Sequence, residues 1–231
     1  MSFSIANLLV WYVVFLFSTT FHEFSHSLLA YWGGDRTAYE GGTLSLDPLP
    51  HIRRSPFGLV VVPLISFALA GWMIGWASAP YDPQWARREP RKHALMSFAG
   101  PAANMLLAAV AFVAMRICVG TGVLDFNPGG FELDAIVVAP GDARGLMGAV
   151  AMALSILLIL NVLLGIFNLL PIPPLDGAAV LEGLFPRQLH TFFDKVRTTP
   201  AYQMLGMIVA WKVFPVVGWP VLSVVLKYLV F

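Results

Sequence analysis

Residues 21 to 30 read FHEFSHSLLA and bring together two histidines and a glutamate. His22 and His26 are four apart, so on a helix they fall on one face about a turn from each other, where two imidazoles can share one zinc. Glu23 follows the first histidine directly. In H-E-x-x-H sites that carboxylate is not a ligand but takes a proton from a water molecule at the metal. Five residues in this pattern arise by chance in many chains, so the surroundings decide what they mean. Here they lie in an apolar run from about residue 5 to residue 31, where a buried acid costs about 2 to 3 kcal/mol or more and an ionisable side chain usually marks function.

Such a site needs a third ligand. Of the thirteen acidic residues, only Glu23 and Asp176 adjoin the core of a long apolar stretch. Asp176 stands in NLLPIPPLDG, residues 168 to 177, where Pro171, Pro173 and Pro174 cannot continue a helix. The chain is expected to unwind there near membrane depth, which is tolerated where backbone is buried in protein or lines a watery cavity. Asp176 is then either a metal ligand or, with Gly177, the cap of a surface turn. A third stretch, AGPAAN at residues 99 to 104, offers small residues for close helix approach and an amide in an otherwise apolar helix. Asn104 could donate to a carbonyl oxygen as it becomes an oxyanion, or make an interhelical hydrogen bond that holds the bundle together.

HEFSH, AGPAAN and NLLPIPPLDG occur in an order that resembles the site-2 protease family of intramembrane zinc metalloproteases, over roughly residues 15 to 180. The resemblance implies one Zn2+ per chain held by His22, His26 and Asp176, with Glu23 as general base. It places Asn104 where the family binds substrate or an oxyanion, and Gly100 and Asn168, in the same motifs, join it as substrate-binding candidates. Some members carry an inserted PDZ or CBS module. This chain resembles the compact form without one, which implies a prokaryotic plasma membrane. GWASAPYDPQWARREPRK, residues 75 to 92, resembles the linker of that group, with Ser78-Ala79-Pro80 in place of its usual Lys-Pro step.

The elements that must position these residues read as an all-α polytopic membrane bundle. The chain of 231 residues is 58% hydrophobic and 12% charged, with a mean hydropathy of +0.76, well outside the range of a soluble domain. Long apolar stretches run at about 5–31, 57–79, 93–118 and 146–171, and a further apolar region at 201–231 is broken by Pro215, Gly218 and Pro220. The first lacks the basic start and small-residue cleavage site of a signal peptide and is expected to be retained. We expect one domain over 1–231, with a motif-bearing core at about 5–180. After Gly41-Gly42, the alternation in TLSLDPL suggests short strand structure over 41–49, and such a strand could pair with an extended substrate.

If the helix from 93 runs antiparallel to the first, all three motifs lie toward one face. That requires an even number of crossings between residues 31 and 93, so the single apolar stretch at 57–79 is expected to dip in and return. Charge gives an independent check. Arg36, Arg53, Arg54, Arg87, Arg88, Arg91, Lys92, Arg187, Lys195 and Arg197 share a side on this topology, against Arg144 opposite, which puts the active-site end toward the cytoplasm.

The expected function is hydrolysis of a peptide bond within or near the transmembrane helix of a membrane-protein substrate. A membrane zinc transporter and a non-proteolytic zinc-binding scaffold are the rivals. The first should show polar residues along a path to both faces, and the second should have lost Glu23 or a ligand. A net charge of +1 gives no basic excess of the kind that marks nucleic-acid binding. The expected partners are the bilayer and the substrate helix, and oligomeric state is not readable. The lone Cys118 reads as a buried thiol, His51 as an interfacial side chain, and most tryptophans as interface anchors.

Overall fold

The computed structural model describes residues 4–141 and 145–230; Arg144, the basic residue counted on the opposite side, lies outside them. Among the described residues four helices are long and apolar enough to cross a membrane: α1 (Ile5–Gly33), α6 (Pro90–Gly120), α7 (Leu146–Asn168) and α10 (Pro200–Val230). The protein is an integral membrane protein. Short helices fill the connections: α2 (Thr37–Glu40), α3 (Pro48–Arg54), α4 (Val62–Ala70), α5 (Pro83–Arg88), α8 (Asp176–Leu184) and α9 (Pro186–Thr198).

The packed centre is α6, which lies against α1 on one side and α7 and α8 on the others. Small residues line these contacts. A side chain at Gly165 of α7 would meet the Met105 side chain and the Pro101 carbonyl of α6, so its absence lets the two backbones approach closely. α10 packs on α7 and α9 at the edge. It is one continuous helix from Pro200 to Val230 through Pro215 and Pro220, so the prolines do not divide it into a hairpin.

The stretch at 57–79 turns back as its topology demands. After α3 the chain bends by 112°, runs inward through a π-helical turn (Phe57–Val61) and α4, and reverses at Gly71, whose φ of 76° favours glycine. It then returns extended beside the inward limb. Trp76 N–H donates to the Gly58 carbonyl at 3.1 Å, and Arg54 Nε donates to the Ser78 carbonyl at 2.9 Å, so the two ends of the hairpin meet on one side. A Cβ at Gly58 or Gly75 would strike the opposite limb's backbone, which is why glycine stands at both.

Residues 41–49 form no strand. Thr43 closes back on the Ala38 carbonyl, and Asp47 caps α3 by accepting from Leu49 N–H at 2.9 Å, with Pro48 in the first turn. Four alternating residues with no partner strand do not outcompete a good N-cap followed by proline. The only strands among the described residues are two-residue segments elsewhere, β1 (Asp125–Phe126) pairing antiparallel with β2 (Val137–Val138).

Candidate metal centre

His22 and His26 point from α1 into the bundle and are 7% and 5% exposed. The break after α7 brings Asp176, the first residue of α8, to them. Gly177 makes this possible, because a Cβ there would lie 2.2 Å from the Leu169 carbonyl oxygen. Nε2 of His22 and Nε2 of His26 are 2.9 Å apart, and Asp176 Oδ2 lies 3.2 Å and 3.3 Å from them. Zinc bonds of about 2.0 to 2.1 Å at angles between a right angle and the tetrahedral value separate ligand atoms by about 2.9 to 3.4 Å. The three donors therefore fit one zinc ion. No other trio of His, Cys, Asp or Glu among the described residues converges in this way.

The remaining ring nitrogens have acceptors. His26 Nδ1 is 2.7 Å from the Met96 carbonyl oxygen, and His22 Nδ1 is 2.6 Å from Asn104 Oδ1. Both contacts favour the tautomer that leaves Nε2 free to ligate. Glu23 is buried beside His22, and its Oε2 has no hydrogen-bond partner in the described structure. An unpaired carboxylate oxygen buried in a membrane helix is costly unless it serves chemistry.

Gly100 faces the same point. A Cβ built on it would lie 2.4 Å from His26 Nε2 and 2.5 Å from His22 Nε2, so the absence of a side chain leaves room on the ligand face. Asn104 sits behind His22. The oxyanion role expected of it meets a different geometry, because its Oδ1 faces His22 and its Nδ2 donates to Asn161 Oδ1 at 2.7 Å. Asn168, at the end of α7, donates to the Leu164 carbonyl of its own helix. Two residues that the motifs did not single out enter here: Asn161, and Ser18, which accepts from Asn161 Nδ2. The available signal for Asn161 was the one that marked Asn104, a lone amide in an apolar helix.

Other histidines lie apart from this trio. His51 is buried rather than interfacial, with Nε2 2.9 Å from the Ser45 carbonyl oxygen. His93 is buried against the Tyr81 ring. His190 lies in α9, with Nδ1 2.8 Å from Glu182 Oε1. A cavity of about 420 Å³ opens between the 81–93 segment and α8–α9, lined by Tyr81, His93, Glu182, His190 and Arg197 among others. Burial pushes the Tyr81 phenol above its ordinary pKa.

The fold and site define a membrane-embedded metalloprotease of the H-E-x-x-H kind. The sequence pattern of peptidase family M50, the site-2 protease family, matches residues 10–211, and the chain belongs to that family. It is 29% identical over 215 residues to YwhC of Bacillus subtilis strain 168, covering 91% of this chain and 84% of that protein. It is 31% identical over 167 residues to Rip2 of Mycobacterium tuberculosis, covering 72% of this chain and 54% of the relative. Both are named as zinc metalloproteases. No solved structure matches the chain.

Proposed function

We infer that this protein is an intramembrane zinc endopeptidase that hydrolyses a peptide bond in or near the transmembrane helix of a membrane-protein substrate. The observation that carries this reading is the convergence of buried His22 and His26, on the span-length α1, with the partly buried Asp176 at the start of α8, beside the unpaired Oε2 of Glu23. One zinc per chain would supply Lewis acidity toward the scissile carbonyl and a water molecule.

The chain's own groups supply the rest. His22 and His26 present their Nε2 lone pairs because their Nδ1 protons are held by Asn104 and Met96. Glu23 takes a proton from water as its oxygen adds to the carbonyl carbon, and returns that proton to the amine nitrogen as the C–N bond breaks. Gly100 keeps the ligand face open. A substrate helix must unwind locally to offer its amide, since its carbonyls are otherwise held in the helix. Toward the N-terminal end of α1 from His22, Trp11, Val14, Phe15, Ile156 and Leu160 pack with Leu59, Phe67 and Met73 of the re-entrant hairpin into an apolar plug. That packing favours an enzyme open to one face over a transporter with a path to both.

The test is zinc content of detergent-purified wild type, His22→Ala and Asp176→Ala, beside cleavage of a model transmembrane substrate by wild type and Glu23→Gln. We expect about one zinc in wild type, loss in the ligand variants, and metal without cleavage in Glu23→Gln. Undiminished cleavage by Glu23→Gln would overturn the role of that residue.

A further inference from the structure

Behind His22 the membrane core holds three polar side chains, Asn104, Asn161 and Ser18, each fully buried. They join in one chain of hydrogen bonds across α6, α7 and α1. Asn161 Nδ2 donates to the Leu157 carbonyl at 2.8 Å and to Ser18 Oγ at 2.9 Å. A main-chain carbonyl can only accept, so the end of the Asn161 carboxamide that faces it is the nitrogen. Its Oδ1 is then left to accept from Asn104 Nδ2 at 2.7 Å. That contact in turn leaves Asn104 Oδ1 facing His22 Nδ1 at 2.6 Å. The ring must therefore carry its proton on Nδ1 and its lone pair on Nε2.

Resting on the reading of His22 as a metal ligand, we propose that Asn161 is a positioning residue of the metal centre, holding Asn104 in the one amide orientation that keeps His22 able to ligate. The Leu157 carbonyl has no alternative tautomer or flip, so it sets the direction of the whole relay. Without Asn161 the Asn104 carboxamide can turn over and offer its NH2 to His22 Nδ1. The ring answers by moving its proton to Nε2, where it blocks the metal. Groups that hydrogen-bond a ligating histidine typically alter metal affinity by about 10- to 100-fold, and Asn161 acts through the group that does so here, Asn104.

A relay that only tied helices together would change stability and leave the metal affinity of folded protein alone. The experiment is zinc dissociation by chelator competition on folded, monodisperse wild type, Asn104→Ala, Asn161→Ala and the double variant, with cobalt(II) absorption spectra of each. Asn161→Ala should bind zinc about 10- to 100-fold more weakly and shift the cobalt bands, and the double variant should be no weaker than Asn104→Ala alone. Wild-type affinity and spectrum in Asn161→Ala would overturn the proposal while leaving the protease reading intact. Wild type that binds no metal would overturn both. Should Asn161→Ala not fold, nitrogen-15 spectra of wild type decide. Because coupling is reciprocal, the Asn161 side-chain amide resonances should move when zinc is chelated, and unmoved resonances would overturn the relay.

Discussion

At the scale of single residues, the site depends on what is absent as much as on what is present. Gly100 sits where any side chain would reach both ligating nitrogens. Gly100→Ala is therefore expected to weaken zinc binding at least about tenfold while circular dichroism shows the helices intact. Metal analysis of the folded variant checks this, and full zinc occupancy would refute the packing argument. Gly177→Ala should act indirectly. Its methyl would push against the Leu169 carbonyl and carry Asp176 away from the histidines, so metal loss should accompany lower thermal stability. Unchanged zinc content would show that the loop absorbs the methyl without moving Asp176.

At the scale of elements, two short pieces hold the long helices in register. The hairpin of α3, the π-turn and α4 closes through Gly58 and Gly75, whose backbones touch the opposing limbs. α9 is tied to α8 by Glu182, which pairs with Arg197 and with His190 at 2.8 Å. Replacing Glu182 by alanine leaves the partly buried Arg197 guanidinium without its carboxylate and should cost about 1 to 3 kcal/mol. A lower melting temperature with normal zinc content is the expected result; an unchanged melting temperature would mean that the α8–α9 tie contributes little. The re-entrant path was legible because one apolar stretch had to satisfy an even number of crossings. The α3 cap is equally present in the sequence as Asp47-Pro48, but the alternation in TLSL beside it has the period of a strand, and local pattern does not rank the two.

At the scale of the whole molecule, the four long helices and the returning hairpin put the ends that carry the site on one side. The surface segments on that side bear most of the basic residues, among them Arg36, Arg88 and Lys195. We propose that this side is cytoplasmic, by the excess of positive charge in short loops. In a Cys118→Ser background, single cysteines at Arg88 and Lys195 should react with an impermeant thiol reagent only from the inner face of oriented vesicles. A cysteine at Gly130, in the loop between α6 and α7, should react only from the outer face. Labelling of positions 88 and 130 from the same face would overturn this topology.

Sequence alone determined the kinds of chemistry and the kind of solvent. The four-residue spacing of His22 and His26, the glutamate between them and the lengths of the apolar runs are local properties that any helix in a bilayer expresses directly. Tertiary structure decided which carboxylate approaches the histidines, which way the Asn104 amide faces, and that Asn161 and Ser18 stand behind it. Those outcomes depend on the rotation and register of α1, α6, α7 and α8 against one another. Helices pack by side-chain volume across sequence separations of tens of residues, and no periodicity within one segment carries that information.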